Sequence, residues 1–161
     1  MFKLKCLLTA KTAIFTILLL LAINCSKDQN SFLPYTKVSL YIPLANYNHL
    51  TIPGNSILFR GYGYKGNGVI VVCVNPDQNL YYAYDACCPF ETDYTGVIGL
   101  VPAAISTQDK IYSSDFFGTC NKCGSKFNLM TGGQPADGGP ATHYLQNYNI
   151  ISGSGTLTVT N

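Results

Sequence analysis

Residues 69–88 read VIVVCVNPDQNLYYAYDACC, and they contain the whole pattern of a β-hairpin. The run from Val69 to Val74 is unbroken and rich in β-branched side chains, which is typical of a strand buried on both faces. The next residues, Asn75-Pro-Asp-Gln-Asn, carry strong turn chemistry, and residues 80–85 have the composition of a second strand. The second strand of this predicted hairpin leads directly to Cys87 and Cys88.

Further strand patterns lie on both sides of the hairpin. They cover residues 38–42, 56–60, 111–117, 126–129, 144–151 and 156–160, and segments rich in turn residues separate them. No helical stripe with a 3.6-residue period follows residue 25. The sequence therefore predicts an all-β fold, and its 161 residues suit one domain preceded by a targeting segment.

The composition argues against several classes of function. Lys3, Lys5 and Lys11 lie in the N-terminal segment, so seven basic residues face eight acidic ones in the rest of the chain. This part is nearly neutral and has no basic patch for nucleic acid phosphates. It also lacks the Gly-x-Ser-x-Gly, phosphate-loop and His-Glu-x-x-His motifs. We therefore expect no nucleic acid partner and no stand-alone catalyst.

The N-terminus resembles an export signal. A basic region that ends at Lys11 precedes an apolar run over residues 13–23, which is followed by Asn24 and Cys25. A cysteine at this place is similar to the lipidation site of bacterial lipoproteins. An uncleaved membrane anchor is the alternative interpretation of the apolar run.

The lipoprotein interpretation divides the chain into three parts. We expect a signal peptide over residues 1–24, a lipidated Cys25 with a polar tether over residues 25–36, and a β domain over residues 37–161. The acyl chains on Cys25 would hold the protein to a membrane of the bacterial cell envelope, on its periplasmic or surface face.

The seven cysteines differ in their sequence context. Cys6 lies in the leader, Cys25 is the expected lipid site, and Cys73 lies inside the buried strand, where an inert core thiol is expected. The other four form Cys87-Cys88-Pro89 and Cys120-Asn-Lys-Cys123, each on a loop that follows a predicted strand. We expect these two cysteine loops to meet.

The order of these motifs resembles the Rieske iron–sulfur family. Its loops read Cys-x-His and Cys-x-x-His-Gly-Ser-x-Phe/Tyr, followed by Gly-Pro-Ala. The matching strings here are Cys88-Pro-Phe90, Cys120-Asn-Lys-Cys123-Gly-Ser-Lys-Phe127 and Gly139-Pro-Ala141. The resemblance implies an antiparallel β-sandwich or incomplete barrel with two ligand loops. It also implies that Cys88 and Cys120 bind one iron, that Ser125 lies near the cluster, and that residues 139–141 cover it.

Two positions depart from the family pattern. Phe90 stands in place of the first histidine and offers no ligand atom, and Cys123 stands in place of the second and offers a thiolate. A conventional iron with two histidine ligands therefore cannot form. We expect His49 and His143 to be surface or structural residues rather than replacements.

The four loop cysteines allow several chemical states. The first expectation is no cofactor, with a disulfide from Cys88 to Cys120 or Cys123 in an oxidising compartment. The second is zinc or iron bound by Cys87, Cys88, Cys120 and Cys123. The third is a 2Fe–2S cluster with four cysteine ligands and a low potential. A redox-active dithiol at Cys120 and Cys123 is disfavoured because no helical pattern follows the first cysteine.

These states predict different functions. A disulfide predicts a structural or interaction module that binds an envelope protein, whereas a bound metal predicts an electron carrier or a zinc protein.

Overall fold

The protein is described by a computed structural model, which covers residues 33–91, 93–136 and 138–161. The predicted signal peptide, Cys25 and the first part of the predicted tether lie outside these residues. Leu33 is already buried, so packing begins before residue 37. In the described part of the chain, no helix has the length and apolar character needed to cross a bilayer.

The described residues form eleven β-strands and three short 3-10 helices. The strands are β1 (Ser39–Pro43), β2 (Ser56–Phe59), β3 (Val69–Asn75), β4 (Leu80–Asp85), β5 (Ile98–Gly99), β6 (Lys110–Ser113), β7 (Phe117–Cys120), β8 (Lys126–Asn128), β9 (Gln134–Pro135), β10 (Asn147–Gly153) and β11 (Thr156–Thr160). The 3-10 helices are Leu44–Asn46, Asn48–Thr51 and Tyr64–Gly66.

The strands build two antiparallel sheets. The larger sheet has seven strands in the order β1-β11-β10-β4-β3-β2-β6, and the smaller has four in the order β5-β7-β8-β9. The predicted hairpin is β3 and β4, in which Val69 lies opposite Asp85. The all-β, antiparallel class predicted from the sequence is therefore confirmed.

Strand β3 is buried on both faces, which explains its continuous apolar sequence. Val71 and Cys73 pack into one core cluster with residues of β1, β2 and β11. Ile70 and Val72 pack into a second cluster, which lies between the sheets because it also contains Phe127 of β8. Cys73 is a core thiol, as expected, and burial raises its pKa.

One predicted strand is divided in the structure. The pattern at residues 111–117 predicted a single strand, but β6 ends at Ser113 in the larger sheet and β7 begins at Phe117 in the smaller. Between them, the N–H of Asp115 donates to the Ser113 hydroxyl, and the N–H of Phe117 donates to the Asp115 carboxylate, both at 3.1 Å. These local bonds replace ladder bonds and move the chain from one sheet to the other.

Other strand boundaries differ by smaller amounts. Strand β10 begins at Asn147 rather than at residue 144, and the short strands β5 and β9 were not predicted. Each of these two has only two residues, too few to show an alternating pattern, and only its pairing with β7 or β8 makes it a strand.

Candidate metal centre

Two loops meet beside the second core cluster. The first loop (residues 86–97) follows β4, and the second loop (residues 120–126) joins β7 to β8. The N–H of Asn121 donates to the Val97 carbonyl at 3.0 Å, and the Val97 N–H donates to the Asn121 side-chain oxygen at 2.9 Å. The two cysteine loops therefore lie side by side, as the sequence led us to expect.

Three thiols converge between these loops. The Sγ atoms of Cys88, Cys120 and Cys123 all lie within 4.8 Å of one another. Those of Cys88 and Cys123 are 3.7 Å apart. Cys88 and Cys120 are buried, and Cys123 is partly exposed. Thiolates are the ligands that zinc, iron and Cu(I) prefer, so this three-thiol group can bind a metal ion.

The described cysteines form no disulfide, and all five of them are free. A disulfide requires an S–S distance of about 2.05 Å, whereas Cys88 Sγ and Cys123 Sγ are 3.7 Å apart. The expected bridge from Cys88 to Cys120 or Cys123 is therefore not the state described here, and it stays a prediction for the oxidised protein.

Cys87 is the predicted ligand that the structure keeps apart from the three-thiol group. Its Sγ lies 4.0 Å from the carbonyl oxygen of Cys88 and 3.9 Å from that of Tyr94. Adjacent residues of an extended chain point to opposite sides, which separates the thiols of Cys87 and Cys88. Burial, followed by the charge of Asp85, raises the pKa of Cys87 to about 12, so its thiol stays protonated.

Ser125 lies beside the thiols. Its hydroxyl oxygen is 3.2 Å from Cys123 Sγ and accepts a hydrogen bond from the Ala141 N–H at 3.0 Å. A Cβ added to Gly139 would overlap Ser125, so glycine permits the close approach of the two segments. Ser125 therefore joins the second loop to residues 139–141.

The surroundings affect the thiols of Cys88 and Cys123 differently. Burial raises the pKa of Cys88. Burial alone would also raise the pKa of Cys123, but hydrogen bonds with Ser125 and with the other two thiols hold it below its usual value. A metal ion that binds here must displace the remaining thiol protons, since only thiolates are ligands.

Because Gly96 has no side chain, the thiols of the neighbouring cysteines have room beside it. A Cβ at this position would lie 3.0 Å from Cys120 Sγ and 3.0 Å from Cys88 Cβ. The Gly96 carbonyl also accepts a hydrogen bond from the Cys88 N–H at 2.9 Å. Any side chain at position 96 would therefore push the thiols or the loops apart.

Asp85 anchors the start of the first loop. Its carboxylate is fully buried, and it accepts hydrogen bonds from the Cys87 N–H at 2.7 Å, the Tyr64 N–H at 2.6 Å and the Tyr148 O–H at 2.6 Å. Burial raises the pKa of Asp85, and these hydrogen bonds oppose the rise. Sequence reasoning did not identify Asp85, although an acidic residue at the end of an apolar strand is a signal that it has buried partners.

Among the described residues, no histidine joins the three converging thiols. Phe90 is 46% exposed and offers no ligand atom. The Nε2 of His49 donates to the Ser113 carbonyl at 2.8 Å, and its Nδ1 accepts from the Asn55 side chain at 3.3 Å. His143 is exposed. The two-cysteine, two-histidine ligand set of a conventional Rieske cluster therefore does not fit this site.

Comparison with known proteins finds a match only among solved structures. No family model matches the chain, and no curated protein sequence matches it. A chain of the complex of reduced oxygenase and oxidized ferredoxin in carbazole 1,9a-dioxygenase is similar at a TM-score of 0.45 and 19% identity, over 78% of this chain and 94% of that one. The ferredoxin of carbazole 1,9a-dioxygenase from Nocardioides aromaticivorans IC177 is similar at a TM-score of 0.41 and 16% identity, over 78% of this chain and 97% of that one. Both TM-scores are below 0.5, so the chain's own cysteines must carry any functional inference.

Proposed function

We propose that this protein is an exported metal-binding protein in which one zinc or iron ion is held by Cys88, Cys120 and Cys123 in a Rieske-like β domain. The observation that carries the proposal is the convergence of three thiols from two loops, all within 4.8 Å. The bound ion would join the first loop to the second.

The spacing of the thiols supports a shared metal ion. Two thiolates on one tetrahedral ion, each with a metal–sulfur bond of about 2.3 Å, lie roughly 3.8 Å apart. Cys88 Sγ and Cys123 Sγ are 3.7 Å apart. The site therefore needs little rearrangement to accept one ion.

The same spacing disfavours a two-iron cluster. In the family pattern, Cys88 and the residue at position 123 would bind different irons, and two bridging sulfides would keep such ligands further apart than ligands of one ion. The close approach of Cys88 and Cys123 supports a mononuclear site. Zinc there would have a structural role, whereas iron would permit one-electron transfer.

Metal content and the visible spectrum of the purified full chain test this function. We expect about one zinc or iron per chain, with no labile sulfide. Zinc would leave the protein colourless, and ferric iron bound by thiolates would colour it. Two irons with two sulfides per chain would contradict the mononuclear site and indicate an electron carrier with unusual cluster ligation.

A disulfide is the second candidate state, because Cys88 Sγ and Cys123 Sγ are separated by only 3.7 Å. Closing this bond would link positions 35 residues apart, which in the chain-entropy model stabilises a domain by about 4 kcal/mol. A metal-free protein whose Cys88 and Cys123 peptides are cross-linked would support a structural module and refute the metal site.

We also propose that lipidation of Cys25 anchors the protein to the cell envelope. The Cys25→Ala chain is expected to leave the membrane fraction for the soluble fraction, since no acyl chain can be attached. Cys6→Ala is the matched control, because Cys6 lies in the part of the leader that cleavage removes. Fractionation with antibody detection makes the measurement, and unchanged membrane partitioning of Cys25→Ala would refute lipid anchoring.

A further inference from the structure

Lys122 connects the two cysteine loops. It lies on the second loop, between the proposed ligands Cys120 and Cys123. Its Nζ donates to the Thr95 hydroxyl at 2.7 Å and to the Asp93 carboxylate at 2.8 Å, and it lies 3.3 Å from a Glu91 carboxylate oxygen. All three partners belong to the first loop.

The partners of Lys122 are themselves held in position. The Thr95 hydroxyl donates to the other carboxylate oxygen of Asp93 at 2.8 Å, and the Thr95 N–H donates to it at 3.2 Å. Lys65 donates to the Asp93 carbonyl at 3.3 Å and lies over the Tyr94 ring. The first loop therefore presents a formed acceptor site, and Lys122 loses less freedom on binding than it would with mobile partners.

The position of Lys122 complements that of Asn121. Asn121 bonds to Val97, the residue just before β5, and Lys122 bonds to the part of the loop nearer to Cys88. The two contacts hold the loops together at separate points.

We propose that Lys122 is a positioning residue that keeps the two cysteine loops closed and so slows release of the metal. This role rests on the proposed metal site but concerns the loops rather than the ligands. Lys122 does not contact the metal in this role. It would hold Cys88 of the first loop close to Cys120 and Cys123 of the second loop.

Three variants of the full chain test the role of Lys122. Lys122→Met removes the charge and keeps the length of the side chain, Lys122→Arg keeps the charge, and Lys126→Met removes an exposed lysine from the same hairpin. The rate at which a chelator removes zinc should rise roughly fivefold in Lys122→Met at low salt, and the difference should shrink at high salt because exposed ion pairs are screened. Lys122→Arg should restore slow release, and Lys126→Met should match the wild type.

Two further readouts do not depend on metal. The Asp93 carboxyl, which Lys122 and Thr95 hold at a pKa of about 2, should titrate nearer its ordinary pKa in Lys122→Met when followed by NMR. The neighbouring charged residues Lys65 and Glu91 are present in both chains. Amide hydrogen exchange at Val97 and Asn121 should become faster in Lys122→Met, which reports opening of the loops.

The outcomes separate this inference from the proposed function. If the wild type binds no metal but Lys122→Met speeds exchange at Val97 and Asn121, the metal site fails and the closing contact stands. If zinc release, exchange and the Asp93 pKa are all the same in Lys122→Met and the wild type, the contact has no positioning role and the inference is overturned. If Lys126→Met changes zinc release as much as Lys122→Met does, the loss of any positive charge on this hairpin explains the effect. That result also overturns the inference.

Discussion

Replacing Asp85 with alanine is expected to lower the free energy of unfolding by about 3–4 kcal/mol, because one buried and two partly buried donors then lose their acceptor. Its carboxylate accepts hydrogen bonds from the Cys87 N–H, the Tyr64 N–H and the Tyr148 O–H. The variant has no group that can replace them. Denaturant unfolding of the metal-free protein, followed by circular dichroism, measures the change.

Asp77 supplies the matched control for Asp85. It lies in the turn between β3 and β4, and its side chain is exposed. Its backbone N–H donates to the Asn75 side chain, and its carboxylate has no hydrogen bond among the described residues. Asp77→Ala should change the free energy of unfolding by no more than about 0.5 kcal/mol. Equal and small losses in the two variants would show that Asp85 is not the anchor of the first loop.

The raised pKa of Asp85 also predicts how the stability of the protein depends on pH. Folding raises its pKa above the ordinary value of 3.8, so the folded state holds this proton more tightly than the unfolded state. The resulting stabilisation is fully present below the ordinary pKa and is lost as the pH rises through the folded pKa. The stability difference between the wild type and Asp85→Ala should therefore narrow as the pH rises through that window.

Removal of Cys120 is expected to lower the affinity for the metal at least about 100-fold, because loss of a ligand costs more than loss of a residue that only supports one. Cys120 is central to the prediction because its Sγ lies within 4.8 Å of both Cys88 and Cys123. Competition with a chelator of known affinity measures the change in Cys120→Ala.

Cys87→Ala and Cys73→Ala are the controls for this experiment. Cys87 lies in the same loop as Cys88, but its thiol points towards the Tyr94 carbonyl, and Cys73 lies in the first core cluster. Both variants should keep their metal, even where they lose some stability. Loss of metal in Cys87→Ala equal to that in Cys120→Ala would return Cys87 to the ligand set and contradict the three-thiol site.

Much of the fold could be predicted because strand signals are local. The β-branched run of β3, the turn at residues 75–79 and the strand that follows are read from neighbouring residues, and the structure has β3 and β4 at these places. The prediction failed at residues 111–117, where the side chains of Ser113 and Asp115 bond to the backbone and divide the run. Strands β5 and β9 exist only through pairing with distant strands, which no local pattern reveals.

For the candidate site, the sequence indicated which cysteine loops to compare but not how their side chains are arranged. The motifs around Cys88, Cys120, Cys123 and Ser125 indicated which loops to compare, and these residues do lie together. The same reasoning added Cys87, because adjacent cysteines look alike in a sequence. The direction of each side chain along the loop separates them, and that direction depends on where the loop bonds to Asp85 and Gly96.

The sequence by itself determined most of the longer strands, the central hairpin and the two loops that carry the cysteines, because hydrophobic alternation and turn chemistry act between near neighbours. Only the tertiary structure decided which thiols converge and what holds the loops. Asp85 bonds to Tyr148, 63 residues away, and Lys122 bonds to Asp93, 29 residues away. Such partners are set by the register of strands that are distant in the chain, and register is a property of the folded sheets rather than of any one segment.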